Sequence, residues 1–357
     1  MDKPRILHIA PENFAGMPID FVKMHRNAGY DAHLVTMYSS PIKYEADISL
    51  NLPLPRSKIS KKWRNQKFFK NAKTGNVKYY SEKNSFEKIF FAIRDRKNRD
   101  KILNSIMKYK LYDFDIYHFD GGMDFFRDSR FAKQLKSMGK KIVMCYFGSD
   151  LRTRGIFKDM ESISNLNLTV EFDHLKIYKN VNYIFFPVHF PEIIFQEKNY
   201  FGKLKIIHSP TNRTFKGTDS ILKVISKLKN DFDFEFILAE NMQREELLRL
   251  KKNCHLAIDT VGGIYGGSGY GKNSIENLSF GLPTITEFTK DYKEFLPENP
   301  FISSNIDELY NVIAGILKEP QVLNKYAEAG INWVKKYHGF ESVNNRLEDL
   351  YKVAGII

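Results

Sequence analysis

Cysteine is scarce in this chain of 357 residues, which contains only Cys145 and Cys254. Each cysteine lies in an apolar run and is predicted to be a core residue. Two such isolated cysteines indicate neither a disulfide framework nor a zinc site, so the cysteine content favours a reducing compartment.

Long apolar segments are also missing. The sequence has no run of about 18 apolar residues, so no membrane-spanning helix is predicted. The first residues, "MDKPRILHIAPENF", lack the apolar region of a signal peptide. Together with the cysteine content, these absences predict a cytoplasmic protein.

Acidic residues are absent between Arg56 and Lys78, although the chain as a whole carries a formal net charge of +13. Such a charge favours a negatively charged partner. Residues 56–73 contain eight cations interleaved with Trp63, Phe68 and Phe69. The cations are Arg56, Lys58, Lys61, Lys62, Arg64, Lys67, Lys70 and Lys73. This stretch can bind an anionic membrane surface, can bind nucleic acid, or can be a solvated loop.

Apolar runs of strand length alternate with helical patterns along the chain. A first series includes "RILHIA", "AHLVTM", "DIYHF", "KIVMCYF" and "NYIFFPV", and a second includes "LKIIHS", "FEFILA", "HLAIDTV", "PTITEF" and "PFISS". This alternation is typical of parallel α/β sheets, whose ligands bind at the carboxyl ends of the strands. The break near residues 195–203 predicts two doubly wound, Rossmann-like domains, residues 1–200 and 201–336.

Six glycines lie within residues 262–271, between the run "HLAIDTV" and a helical pattern. A strand, a glycine-rich loop and a helix start make a phosphate site, because the backbone approaches an anion closely and the helix N-terminus favours negative charge. Three interpretations are a P-loop, a structural turn without a ligand, and a sugar-nucleotide site. The P-loop pattern requires a magnesium-binding hydroxyl where this sequence has Asn273.

The third interpretation rests on a resemblance. The segment "SGYGKNSIENLSFGLPTI" resembles the donor-binding signature of GT-B glycosyltransferases of the large retaining, glycogen-synthase-like group. Gly269, Tyr270, Gly271 and Glu276 fall in register with that signature, whereas Ser268 replaces its first Glu. The resemblance implies that these five residues bind the donor and that the Glu276 carboxylate hydrogen-bonds the ribose.

A second segment, "HSPTNRTFKGTD", resembles the part of the same family in which an Arg and a Lys bind the donor diphosphate. Arg213 and Lys216 are the matching residues. A cation pair stabilises the negative charge that develops on a diphosphate leaving group. The resemblance therefore implies catalysis by these side chains without a metal. Glu287, which ends the strand "PTIT", is expected to bind donor hydroxyls.

Three further segments resemble the N-terminal half of the family. Gly16 matches the loop glycine that approaches the donor phosphates and the acceptor. His118, in "DIYHFDGG", matches a histidine near the reacting sugar. In "YFGSDLRTRG", Phe147 stands where the family has His, and Asp150 and Arg152 are expected to contact the sugar or the acceptor.

The resemblance implies a two-domain enzyme with a GT-B cleft and a C-terminal helix, about residues 337–357, that crosses back to the first domain. It implies hexosyl transfer with retention from a UDP- or GDP-type sugar donor, without a cofactor, to a glycan, lipid-linked or protein acceptor. A lipid-linked acceptor would give the basic stretch a role at the inner face of the membrane. Alternatives are a catalytically silent partner subunit, a nucleic-acid-binding protein, which leaves the glycine loop unexplained, and an epimerase of the same architecture.

Overall fold

A computed structural model describes residues 3–39, 44–53, 79–80, 82, 85–148, 150–189, 195–264 and 269–357. The chain forms two compact units. The first comprises Met1–His189 together with Phe340–Ile357, and the second comprises Phe190–Gly339. Residues 56–73 and Ser268 lie outside the described residues, so the predictions made for them remain predictions.

The described elements alternate between strands and helices. The strands are β1 (Ile6–Ala10), β2 (Ala32–Thr36), β3 (Ile48–Ser49), β4 (Ile116–Asp120), β5 (Lys141–Tyr146), β6 (Leu166–Thr169), β7 (Asn182–Tyr183), β8 (Lys205–His208), β9 (Glu235–Leu238), β10 (Leu256–Ile258), β11 (Thr284–Thr286) and β12 (Ile302–Ser303). The helices are α1 (Met17–Asn27), α2 (Ser85–Lys108), α3 (Arg130–Ser137), α4 (Lys158–Ile163), α5 (His174–Ile177), α6 (Arg213–Lys216), α7 (Thr218–Asp231), α8 (Arg244–Lys252), α9 (Lys272–Ser279), α10 (Lys290–Phe295), α11 (Leu309–Lys318), α12 (Val322–His338) and α13 (Phe340–Val353).

The first unit is built on a seven-stranded sheet with the order β3-β2-β1-β4-β5-β6-β7. All five residues of β1 are buried, because this strand lies in the middle of the sheet with helices on both faces. Leu7 and Ile9 point into the larger core cluster. His8 points to the opposite face, where its ring lies near His25 of α1.

The C-terminal helix α13 belongs to the first unit and packs against α1. The Tyr30 hydroxyl donates a hydrogen bond to Glu348 Oε1 over 2.7 Å, which joins the turn after α1 to α13. The buried ring of Tyr351 lies on the same face of the sheet as His118. The predicted return of the C-terminal helix to the N-terminal domain is therefore confirmed.

The second unit contains a five-stranded sheet with the order β12-β11-β10-β8-β9. Ile206, Leu256 and Ile285 of neighbouring strands pack with one face of α7, which contributes Ile221 and Ile225. That face shows the helical spacing of apolar residues visible in the sequence. The chain runs from β8 outward to β9 and then returns to β10 on the other side of β8, so the strand order reverses between β8 and β10.

The pairings between the described strands are all parallel, which confirms the predicted α/β class. Two differences concern the extent and the number of the strands. The run "NYIFFPV" forms only the two-residue strand β7, and β3 and β6 were not predicted. Among the helices described here, none is long and apolar enough to cross a membrane.

Candidate functional site

Lys216 lies at the point of the second unit where the strand order reverses. It ends α6, the short helix that follows β8, and its ammonium group reaches the residues directly after β10. Lys216 Nζ lies 2.6 Å from Asp259 Oδ1 and 2.9 Å from Thr260 Oγ1. Ligands of doubly wound sheets bind at this kind of position, so the location agrees with a role in donor binding.

Asp259 is 1 % exposed and accepts hydrogen bonds from three side chains around it. Besides the Lys216 ammonium group, it accepts hydrogen bonds from Asn273 Nδ2 over 3.0 Å and from the Ser274 hydroxyl. Burial alone would raise the pKa of Asp259, but Lys216 and the two donors of α9 hold this pKa below its ordinary value. The carboxylate therefore stays charged and ties α6 and the start of α9 to the end of β10.

Two glycines in this region meet very different surroundings. Gly217, between α6 and α7, has a φ of +71°, and a Cβ placed there would lie 1.9 Å from the carbonyl oxygen of Val261. Gly271, which precedes α9, has a φ of −136°, and a Cβ there would meet no heavy atom of the described residues within 4 Å. The first glycine allows two loops to touch, and the second leaves open space before the first turn of α9.

The Glu276 carboxylate lies on α9 between two cations of α8. Arg244 Nη2 is 2.7 Å from Glu276 Oε1, and Lys251 Nζ is 3.4 Å from Glu276 Oε2. The Lys251 side chain is fully buried and also donates to Asn273 Oδ1 over 2.6 Å. Burial lowers the pKa of Lys251, while Glu276 opposes that shift. The buried ammonium group of Lys251 thus holds both Asn273 and Glu276 in place.

Arg213 begins α6 and is more exposed than Lys216. Its guanidinium group lies 2.6 Å from Asp219 Oδ1 and 2.7 Å from Glu240 Oε2. A guanidinium group has five N–H donors and an ammonium group has three, so a side chain in such contacts can still bind further oxygens. Both predicted diphosphate-binding cations therefore lie on α6, and both are held by carboxylates.

Tyr270 belongs to the glycine loop, and Glu287 directly follows β11 beside that loop. The Tyr270 ring stacks on Phe301 with a centroid distance of 5.2 Å, and its hydroxyl lies 3.2 Å from His338 Nε2. Glu287 accepts a hydrogen bond from Gly262 N over 2.7 Å with its carboxylate and one from Gly269 N over 3.0 Å with its backbone oxygen. These contacts hold the two described ends of the glycine loop, and binding of donor hydroxyls by Glu287 stays a prediction.

In the first unit, the loops after β1, β4 and β5 lie together. Gly16 has a φ of +69° and is the residue from which α1 begins. Asp150 follows β5, accepts a hydrogen bond from Phe147 N over 3.0 Å, and lies beside Gly121 of the loop after β4. Burial raises the pKa of Asp150, against the effect of nearby Arg154. These loops end at the carboxyl edge of the sheet, where a ligand of this unit is expected.

The Arg152 side chain is held by two acidic residues. Its guanidinium group contacts Asp173 through two bonds of 2.5 Å and Glu171 Oε2 through one of 2.6 Å. Burial works against the charged form, but the two carboxylates dominate and raise the pKa of Arg152. Arg152 therefore stiffens the turn at residues 150–154, and contact with sugar or acceptor stays a prediction.

His118 lies in the interior of the first unit, and its predicted place near the reacting sugar stays a prediction. It lies in the middle of β4, is 1 % exposed, and its Nε2 is hydrogen-bonded to the Tyr351 hydroxyl of α13. Burial, with His8 and His25 nearby, lowers the pKa of His118 well below its ordinary value. Because the ring is enclosed by the sheet, α1 and α13, we leave His118 out of the proposed transfer chemistry.

Several residues of the donor-side arrangement were not predicted. Asp259 directly follows a buried strand, and this position at the carboxyl end of the strand could have identified it as a candidate site residue. Lys251 and Arg244 carried no such signal, because their place in the helix "REELLRLKK" looks like an ordinary solvated face. Only the packing of α8 against α9 and β10 makes Lys251 a buried cation.

No protein-family model matches the chain, and no curated protein matches it in sequence. Solved structures are similar over almost its whole length. An alpha-glucosyltransferase in complex with UDP-glucose and DNA containing an abasic site has a TM-score of 0.62 at 10 % identity, covering 98 % of this chain and 99 % of its own. The sucrose-phosphate synthase of Thermosynechococcus elongatus has a TM-score of 0.57 at 12 % identity, covering 98 % of both chains.

The Anabaena protein HepE in complex with UDP-glucose has a TM-score of 0.54 at 10 % identity, covering 98 % of this chain and 100 % of its own. At such identities the likeness concerns the fold. The likeness covers 98 % of this chain, so it includes both parallel sheets and α13. The chain has the GT-B fold of these glycosyltransferases, as the resemblance in its sequence predicted.

Proposed function

We propose that this protein is a glycosyltransferase that moves a hexosyl group from a UDP-type sugar donor to an acceptor hydroxyl. The observation that carries the proposal is the position of Lys216 between the ends of β8 and β10, held by buried Asp259. Similar structures of the same fold were solved with UDP-glucose, which supports uridine diphosphate as the nucleotide.

The donor-binding chemistry follows from the arrangement in the second unit. Lys216 and Arg213 would bind the diphosphate oxygens, and the N–H groups of the first turn of α9 would face the same anion across the open space at Gly271. Glu276, fixed by Arg244 and Lys251, would accept hydrogen bonds from the ribose hydroxyls. Gly269, Tyr270 and Ser268 would line the sugar-nucleotide side, as the resemblance implies.

In the transfer step, the bond between the anomeric carbon and the diphosphate oxygen breaks and a bond to the acceptor oxygen forms, while the proton of the acceptor hydroxyl passes to the leaving diphosphate. The electron pair of the broken bond stays on the diphosphate. Lys216 and Arg213 stabilise that charge, so their effect is larger in the transition state than in the ground state. Gly16, Asp150 and Arg152 of the first unit are proposed for the acceptor side, and retention follows from the resemblance alone.

A thermal-shift screen against UDP, GDP, UDP-glucose and GDP-mannose tests the donor site. A ligand present at 100 times its dissociation constant stabilises the folded protein by about 2.7 kcal/mol, so a clear rise in melting temperature is expected with UDP and UDP-glucose. Equal shifts with GDP would contradict the choice of base. No shift with any nucleotide would overturn the proposal.

Activity separates the enzyme from a catalytically silent partner subunit. Release of UDP from UDP-glucose should accelerate when an acceptor is added, whereas a silent subunit would bind UDP without releasing it from the donor sugar. Acceptor arms should include a lipid-linked glycan, a polysaccharide and double-stranded DNA. The DNA arm is included because the net charge is +13 and because the similar alpha-glucosyltransferase was solved with DNA.

Membrane contact is a separate proposal that joins the basic residues 56–73 to an exposed apolar stripe on α2. Phe86, Ile89 and Ile93 recur at helical spacing and are 82 %, 55 % and 49 % exposed. A sequence that supplies both exposed apolar side chains and cations suits an anionic membrane surface, although the cations 56–73 lie outside the described residues. We expect the protein to float with vesicles that contain an anionic lipid and to be released by high salt. Equal flotation with purely zwitterionic vesicles, or no flotation at all, would contradict this proposal.

A further inference from the structure

Three histidines meet in the interior of the first unit. His8 in the middle of β1 and His118 in the middle of β4 are partners in the parallel register, and His25 of α1 lies over them. The exposed fractions of His8, His25 and His118 are 0 %, 0 % and 1 %. One ring nitrogen from each histidine lies within 4.8 Å of one from each of the other two.

The outer nitrogens of two of these rings are occupied. His8 Nδ1 is 2.9 Å from Asp120 Oδ2, and His118 Nε2 is hydrogen-bonded to the Tyr351 hydroxyl. His8 Nε2 and His118 Nδ1 are buried and have no hydrogen-bond partner among the described residues. The buried His25 ring lies beside the Asn344 side chain, which can bond one of its two nitrogens and leaves the other for the cluster. Buried nitrogens without partners are costly, so a cluster of them requires an explanation.

The tautomer of His8 indicates which kind of group the cluster can bind. A carboxylate beside Nδ1 selects the tautomer of His8 that carries its hydrogen there, which leaves the Nε2 lone pair free. Metal-binding histidines are held in this way, with the outer ring N–H donated to a carboxylate or another oxygen. A cation bound to His8 Nε2 and to one nitrogen of each of the other two rings would give all three nitrogens a partner. Imidazole donors suit zinc, copper, iron and nickel, and three histidines completed by a water molecule are a known zinc-binding arrangement.

We propose that His8, His25 and His118 form a buried Zn²⁺ site that cross-links β1, β4 and α1 beneath α13. Asp120 and Tyr351 orient two of the ligands from outside. Zn–N bonds of about 2.0–2.1 Å in a tetrahedral ion place ligand nitrogens about 3.4 Å apart, and the three candidate nitrogens lie within 4.8 Å of one another. The rings of His8 and His118 are 4.3 Å apart with an interplanar angle of 28°, so at least one ring must rotate on binding. A water molecule would complete the coordination.

The inference does not depend on the proposed function, because none of the three histidines takes part in the donor chemistry described above. Its test is the metal content of the untagged, full-length protein, purified without chelators and without metal-affinity resin. We expect about one Zn²⁺ per chain by elemental analysis, and a visible ligand-field spectrum typical of tetrahedral Co²⁺ after exchange. Removal of the ion by a chelator should lower the melting temperature.

Variants distinguish this site from adventitious zinc. His25→Gln should lose at least about nine-tenths of the zinc, because it removes one of three protein ligands. His33→Gln alters an exposed histidine of the same unit, hydrogen-bonded to Asp31, and should keep the metal. Wild-type protein that contains no zinc and gives no Co²⁺ spectrum after refolding with Co²⁺ would overturn the proposal. Equal zinc in wild type and in folded His25→Gln would overturn it as well.

Discussion

Replacement of Lys216 by alanine should weaken UDP binding about 10- to 100-fold and lower the free energy of unfolding by about 3 kcal/mol. The binding loss follows from removal of a charged donor to the diphosphate. The stability loss follows because Asp259, which is 1 % exposed and 2.6 Å from Lys216 Nζ, is left with only the donors of Asn273 and Ser274. Calorimetric titration with UDP and urea unfolding measure the two effects separately.

Two further variants separate binding from stability. Arg213→Ala removes a cation on the exposed side of α6, so we expect weaker UDP binding with no measurable change in stability. Lys216→Ala combined with Asp259→Asn should recover part of the lost stability, because a neutral amide does not require a cation, but it should not recover binding. Unchanged UDP affinity in folded Lys216→Ala would remove Lys216 from the donor site.

Replacement of Gly217 by alanine should lower the free energy of unfolding by about 3 kcal/mol or more. The added Cβ would lie 1.9 Å from the Val261 carbonyl oxygen, and the φ of +71° is one that alanine rarely adopts. Because the obstructing atom belongs to the backbone, no side-chain rotation relieves the overlap. The loop after β10 must move away from α6, so the Lys216–Asp259 contact and UDP binding should be lost together. Urea unfolding and titration with UDP measure both losses.

Gly271→Ala is the matched control for this prediction. Within the described part of the chain, a Cβ at Gly271 meets no heavy atom within 4 Å, and its φ of −136° is ordinary for alanine, so stability should change by no more than about 0.5 kcal/mol. If the donor phosphates bind at the start of α9, the new methyl group should still weaken UDP binding about tenfold. Unaltered UDP affinity in this variant would place the phosphates elsewhere. Stability equal to wild type in Gly217→Ala would contradict the close approach of the two loops.

Much of the fold could be predicted because short apolar and helical patterns in the sequence determine it. The strand run "RILHIA" corresponds to β1, "KIVMCYF" to β5 and "LKIIHS" to β8, since short apolar segments between helices have few other ways to be buried. The short strands β3 and β7 were less predictable. Each contributes only two residues at an edge of the sheet, where pairing with a neighbour, and not composition, decides whether a strand forms.

The donor-side residues show where local reasoning stops. Motifs predicted Lys216 and Glu276 as donor-binding residues, which stays a proposal, but no motif indicated the carboxylate and the cations that hold them. Asp259 is 43 positions from Lys216, and Lys251 is 25 positions from Glu276, so these pairs form only when β10, α8 and α9 pack together. His118 illustrates the reverse case. A motif predicted it near a substrate, but no local pattern predicted its contacts with His25 of α1 and Tyr351 of α13, which follow from the alternation of side chains along β4.

The sequence by itself determined the α/β class, the two series of strands and the glycine-rich loop before α9, because periodicity, length and glycine content act over a few neighbouring residues. Only the tertiary structure decided which charged groups are paired, which are buried, and which histidines meet. Burial and electrostatic pairing depend on contacts between residues far apart in the chain, and the free energy of a charge depends on the surroundings that those contacts create.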